Sequence, residues 1–223
     1  MNVLLQGIVG STAYGLNHAG SDIDRLGLYA APAHRFHGLR LPVDKAATQV
    51  HHNPDSTLHE ARKYCLLALA GNPTVSELLW LPDPLYEVVT PLGSELIGIR
   101  SSFLSAPRVR DAYLGYASQQ LARLASKEIR SQPEAKVAKH ARHLARLAHQ
   151  GLELYRTGFL RVRLEDPQWY LNFGRRVAQD VSVARSLLAD TSSFFDEARS
   201  PLPEHPDEAV VEAWLQRVRE LIP

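Results

Sequence analysis

At 223 residues, with 25 Lys and Arg against 24 Asp and Glu, the chain is long enough for one large domain or two modest ones and is close to neutral overall. Its single cysteine, Cys65, excludes an internal disulfide and offers no thiolate metal site, which fits a reduced, cytosolic setting. No apolar run approaches the roughly 18 residues of a membrane span, and the opening Met1-Asn2-Val3-Leu4-Leu5 lacks the basic start of a signal peptide, so a soluble, cytoplasmic protein is expected.

The first element is a strand over Val3 to Val9, rich in β-branched and apolar residues and broken by Gly10-Ser11. A second strand runs from Ile23 to Tyr29 and stops before Pro32. A polar loop covers Ala33 to Pro54, with a short strand near Gln49 to His52. From about His59 the pattern turns helical and ends at Gly71-Asn72-Pro73, and Val75 to Trp80 reads as a second short helix. Pro82, Pro84 and Pro91 punctuate the chain, and three helical segments follow: Ala112 to Arg130, Pro133 to Arg156 and Pro167 to Ala189. A last helix spans Asp207 to Leu221, with Val210, Val211, Trp214, Leu215 and Val218 on one stripe that can pack on the chain's own core or on another copy. This predicts an α+β protein in which a small α/β core at residues 1–100 precedes an all-helical domain at 101–223. Charge is unevenly spread: residues 100–176 hold fifteen Lys and Arg against six Asp and Glu, so a polyanion is expected there.

Asp22 and Asp24 are two apart at the head of a strand, where period-2 alternation turns both side chains to one face. Two neighbouring carboxylates repel each other. A divalent cation removes that repulsion, and oxygen ligands suit Mg²⁺ or Mn²⁺. Paired metals roughly 4 Å apart activate an attacking hydroxyl and shield phosphates. The alternative is a solvated turn entering a strand. Gly10-Ser11, between a strand and Thr12-Ala13-Tyr14, supplies turn amides and a hydroxyl that can hold a phosphate.

Gly10-Ser11, ten intervening residues and Asp22-x-Asp24 resemble the signature of the polymerase-β-like nucleotidyltransferase superfamily. Within it the chain is similar to the RlaP group, associated with bacterial RNA repair and also found in phage genomes. The resemblance rests on Gly10-Ser-Thr-Ala-Tyr-Gly15, Ser21-Asp-Ile-Asp-Arg-Leu-Gly27, Gly71-Asn-Pro-Thr-Val-Ser-Glu-Leu-Leu79, Phe103-Leu-Ser105, Gly115-Tyr-Ala117 and Gln120-Leu121, and ends near Gly158. It implies a polymerase-β-like core with a mixed sheet, a helical domain that completes the nucleotide site, two divalent ions, and transfer of a nucleoside monophosphate from an NTP to an acceptor hydroxyl, RNA favoured. It also points to Asp55, eight residues before Lys63, as a third carboxylate and metal ligand. Against this, Asp55 can cap a helix in which Thr57 and Glu60 have capping-box spacing, and Asp44 is the fallback.

Lys139, His143 and Arg146 fall at i, i+4 and i+7, one stripe of a helix whose apolar side is already supplied by Ala138, Ala141, Leu144, Leu147 and Ala148. Three donors so aligned can grip a triphosphate, and the same spacing is similar to the RlaP pattern. The competing account is an ordinary solvated face. Lys63 either reaches the nucleotide or lies on a helix surface, while Asn72 and Glu77 fit a turn between helices. His18, His34, His37, His51, His52 and His59 lack partners at zinc spacing. Two rival functions share these residues: a protein-modifying, toxin–antitoxin-like nucleotidyltransferase, and a non-catalytic RNA-binding module. Neither the base preference nor the oligomeric state is encoded in a motif.

Overall fold

The computed structural model describes residues 2–222 apart from 38, 40, 42, 53 and 54, with backbone alone for 44 and 130. The chain divides into two compact units, Met1–Leu104 with Pro206–Pro223, and Ser105–His205. Residues 206–223, grouped from sequence with the helical domain, thus cluster with the first unit.

The first unit is built on a five-stranded mixed sheet of order β3-β4-β2-β1-β5. Strand β1 (Asn2–Ile8) runs antiparallel to both β2 (Arg25–Ala30) and β5 (Tyr86–Val89). Strand β4 (Asp55–Glu60) runs parallel to β2, and β3 (Thr48–His52) pairs antiparallel with β4 at the edge. The burial pattern explains the order: all of β2 after Arg25 is buried, whereas β3 and β5 keep alternate or successive residues in water, as edge strands do. A parallel return from β2 to β4 needs a long connection, which residues 31–54 supply.

Helices α2 (Ala61–Leu69) and α4 (Pro91–Gly98) pack on the sheet, and α10 (Glu208–Leu221) packs on both of them. Val211, Trp214 and Val218 are buried, and the Trp214 indole N–H donates to Leu92 O at 3.0 Å. The apolar stripe of the last helix therefore covers the chain's own core. Arg219 reinforces this seam, with Nη2 2.8 Å from Oε1 of Glu60, a carboxylate only 1% exposed. Between β1 and β2 lies the short α1 (Gly10–Tyr14), and between α2 and β5 lies α3 (Pro73–Ser76), continued as a 3₁₀ turn over Glu77–Trp80.

The second unit is helical: α5 (Ala106–Ala125), α6 (Lys127–Arg130), α7 (Glu134–Thr157), α8 (Pro167–Gln179) and α9 (Ser182–Glu197). Helix α7 is its centre, packing on α5, α8 and α9. Its buried face is rich in small residues, Ala138, Ala141, Ala145, Ala148 and Gly151, which let neighbouring helices approach closely. Leu144 and Leu147 are fully buried there, each contributing about 1.5–3 kcal/mol.

Several boundaries differ from the sequence expectation. The helix expected from His59 begins at Ala61, because residues 55–60 form β4. The segment Pro167 to Ala189 is two helices, broken where Asp180 turns extended and its carboxylate accepts from Ser182 N at 2.9 Å. Strand β5 and helix α4 occupy a stretch in which the prolines suggested only punctuation; Pro91 instead sits in the first turn of α4, behind the Thr90 cap.

Candidate active site

In the first unit, the sequence signals converge at one end of the sheet. β1 leads into Val9, whose N–H donates to the Asp24 carbonyl at 2.9 Å, and the chain turns at Gly10 with φ +67°. A Cβ on Gly10 would collide with the Asp24 carboxylate and would stand 3.1 Å from its Cγ. The Gly10-Ser11 turn and Asp24 are therefore in direct apposition. Helix α1 closes with Leu16 N donating to Ser11 O at 2.8 Å, and Tyr14 Oη donates to Glu77 Oε2 at 2.6 Å. Glu77 is 1% exposed, so a buried carboxylate on the neighbouring 3₁₀ turn anchors the element that carries the turn.

The approach to β2 is shaped by a tight His18–Ser21 turn, with Ser21 Oγ accepting from His18 N at 2.9 Å. Asp22 and Asp24 follow, both exposed. At Arg25 the strand is pinned, because its Nε lies 2.9 and 2.8 Å from the two oxygens of Glu87 on β5.

Asp55 opens β4. The pairing of Arg25 with Ser56 puts the preceding residues, Asp24 and Asp55, at the same end of two adjacent parallel strands. Asp55 does not cap a helix: α2 is capped by Glu60, which accepts from Arg62 N at 2.8 Å. The Thr57–Glu60 capping box is thus absent for a simple reason, since both residues are in β4. His52 Nδ1 stands 3.9 Å from Asp55 Oδ1, an exposed contact worth little energetically. The side chain of Asp44 lies outside the described residues.

Period-2 alternation along β4 puts Thr57 and His59 on the same face as Asp55. His59 Nδ1 is 3.0 Å from Thr48 Oγ1, which also accepts from Lys63 Nζ. Burial, then the neighbouring Lys63, lowers the His59 pKa. Lys63 thus belongs to a polar cluster linking β3, β4 and α2. Asn72 caps α3, accepting from Thr74 N and Val75 N at 3.1 and 3.2 Å.

Carboxylate oxygens at the mouth of this sheet are the donor type that Mg²⁺ or Mn²⁺ takes. Among the described residues, no group of three or more His, Cys, Asp or Glu side chains is gathered as a ready metal cage. What fits a divalent ion is the donor chemistry and the strand register.

The Lys139 stripe lies in the second unit, and its members differ sharply. Lys139 is exposed, His143 is half-buried, and Arg146 is 4% exposed. Arg146 Nη1 donates to Gln150 Oε1 at 2.8 Å, and Gln150 Nε2 donates to the carbonyls of Arg161 and Val162 at 2.8 and 3.0 Å. Arg146 is therefore part of an internal tie to the segment after α7. Burial, helped by Arg146, His140, Arg123 and Lys139, pulls the His143 pKa down to about 3, so His143 is neutral at physiological pH and offers an N–H rather than a charge.

The family described as the RNA repair pathway DNA polymerase beta family, RlaP, matches residues 1–165. The chain belongs to the RlaP family. Its description places the protein among polymerase-β-like nucleotidyltransferases of RNA repair, and the five-stranded mixed sheet with its following helices agrees with that fold. The match takes in every candidate site residue and ends inside the second unit, leaving α8, α9 and α10 outside it. No curated protein matches the chain. Among the described residues, no helix is long and apolar enough to cross a membrane.

The Tyr14–Glu77 and Thr48–His59–Lys63 links are absent from the sequence reading. Alternation of Asp55, Thr57 and His59 along β4 was the available signal for the second; nothing local marks the first, whose partners are 63 residues apart.

Proposed function

We propose that this RlaP protein is a metal-dependent nucleotidyltransferase that moves a nucleoside monophosphate from an NTP to an acceptor hydroxyl, an RNA end being the favoured acceptor. The observation that carries this reading is the apposition of the Gly10-Ser11 turn and the Asp24 carboxylate, with Asp55 beginning the adjacent parallel strand. A phosphate-binding turn and oxygen ligands side by side are what phosphoryl transfer requires, because its catalysis is mostly positioning and charge neutralisation.

In this mechanism Asp22 and Asp24 would hold the divalent ions, Mg²⁺ or Mn²⁺, and Asp55 would complete the ligand set. When bound, such ions neutralise phosphate charge and lower the pKa of an attacking hydroxyl. Gly10 and Ser11 bind the β- and γ-phosphates through a backbone amide and a hydroxyl. Asp55 accepts the acceptor's proton as the acceptor oxygen bonds to the α-phosphorus. The bond from that phosphorus to the oxygen bridging to the β-phosphate breaks, its electron pair leaving with pyrophosphate.

The test is label transfer from each of the four α-labelled NTPs, with Mg²⁺ or Mn²⁺, onto total RNA and onto lysate protein. Label on RNA that Asp22→Ala/Asp24→Ala loses by several orders of magnitude supports the reading. Label on protein moves it to a protein-modifying transferase, and near-wild-type turnover by Asp24→Ala sinks the mechanism.

A further inference from the structure

The second unit carries a cationic surface wider than the Lys139 stripe. On one flank, α8 is brought against α7 at Gly174, where a Cβ would stand 3.1 Å from Arg142 Cγ and 2.9 Å from Ala138 O. That close approach sets Arg175, the next residue, beside Arg142. Burial and then Arg175 lower the Arg142 pKa. On the other flank, His140 Nδ1 is 3.0 Å from Gln120 Oε1 of α5, and after burial its pKa is lowered by Arg123, Lys136 and Lys139. Cations on α5, α7 and α8 thus press on one another with α7 in the middle.

Acidic residues are sparse along these helices. No Asp or Glu occurs between Glu134 and Glu153, nor anywhere in α8. Among the described residues, no carboxylate forms an ion pair with Arg123, Lys136, Arg142 or Arg175; Lys136 and Arg175 donate to the amide oxygens of Gln132 and Asn172 instead. Elsewhere in the same unit the usual pairing holds: Arg110 is paired with Asp111 and Asp196, and Arg161 with Glu153 and Glu165. Clustered like charge raises the energy of the folded state unless a polyanion neutralises it.

We infer that this three-helix face is a docking track for the phosphate backbone of an RNA strand, with Arg123, Lys136, Arg142 and Arg175 as its contacts. Packed helices lie about 8–10 Å apart, so the face is about 16–20 Å wide. One nucleic-acid strand presents a charge about every 3.4 Å, so the face matches several consecutive nucleotides and exceeds one triphosphate. Arginine forks suit phosphate oxygens. Arg123, Lys136 and Arg142 lie within the family-matched residues and Arg175 beyond them. It rests on the transferase reading only in making that strand the acceptor.

The experiment is binding of a labelled 12-nucleotide RNA of mixed sequence to the whole chain carrying Asp22→Ala/Asp24→Ala, in chelator and without NTP, across a salt series. Arg142→Gln/Arg175→Gln is expected to lower the log–log salt slope by about 1.4 and to weaken binding about 25-fold at 0.1 M salt, at about 0.7 of slope per lost phosphate contact. Arg123→Gln, on the other flank, is expected to lower the slope by about 0.7. Arg142 is half-buried, so thermal melts accompany each variant, and the exposed Arg175→Gln and Arg123→Gln carry the test if Arg142→Gln melts early. Unchanged affinity and slope in the well-folded variants overturns the track, as does poly-glutamate competing as well as RNA at equal charge. Binding through these residues without label transfer keeps the track and removes the transferase. Label transfer to RNA with binding unimpaired in the variants removes the track alone.

Discussion

Gly10 is constrained twice, by its positive φ and by the Asp24 carboxylate lying where a Cβ would go. A left-handed conformation costs a non-glycine residue about 1–2 kcal/mol, and the collision adds displacement of Asp24. Gly10→Ala is therefore expected to lower the melting temperature and to abolish label transfer, whereas Ser11→Ala keeps the melting temperature and weakens NTP binding. Equal transfer by Gly10→Ala and the unaltered chain would remove the turn from the mechanism. His143 supplies a pH dependence. Its folded pKa, about 3, lies below the unfolded value of about 6.5, so the unfolded chain binds the extra proton between those values. Stability is full above pH 6.5 and falls as the medium is acidified, by roughly 2 kcal/mol at pH 5. Denaturant titrations at pH 7.5 and 5 should show that loss, and His143→Gln should shrink it. Burial also pushes the Cys65 thiol up to about 12, so a thiol reagent at pH 8 should label the native chain far more slowly than the unfolded one.

The elements most legible in the sequence were those whose cause is local. Strands β1 and β2 follow from apolar, β-branched runs, and the candidate site at Gly10, Ser11, Asp22 and Asp24 was marked by local turn residues and spacing together with the family resemblance they carry. β4 was misread in part because Asp55-Ser56-Thr57 followed by Glu60 satisfies a helix-start pattern, yet pairing with β2 and β3 keeps all of 55–60 extended. Tertiary pairing outweighed capping preference there. Nor could the Lys139 stripe reveal that Arg146 is withdrawn from solvent to hold Gln150. The Glu60–Arg219 pair is 159 residues apart in the chain, beyond any pattern. It closes the far end of the strand that Asp55 begins. Removing one partner of a buried ion pair costs about 3–5 kcal/mol because the other is left uncompensated. Arg219→Met should lose about that much in urea unfolding, while Glu60→Gln/Arg219→Met recovers most of it; equal loss in both variants would assign the effect to packing alone.

At the scale of the whole molecule, the chain leaves the sheet-bearing unit at Leu104, builds the helical unit, and returns at Pro206. The returning α10 lies outside the family-matched residues, yet it supplies the cover that α2 and α4 need. Deleting 206–223 would strip Trp214 from the Leu92 carbonyl, expose the ground under Val211 and Val218, and leave Glu60 buried without Arg219. Loss of one buried Trp costs about 3–5 kcal/mol, and the orphaned carboxylate costs a similar amount. Their sum is comparable to the whole stability of an ordinary domain, about 5–15 kcal/mol. The helical unit keeps its own core around Leu144 and Leu147. Hydrogen exchange on the truncated chain should therefore show protection lost at the β2 and β4 amides and kept along α7. Protection retained in β2 and β4 would mean that residues 1–104 sustain the sheet alone. Loss along α7 as well would mean that protection in the helical unit also depends on the last helix.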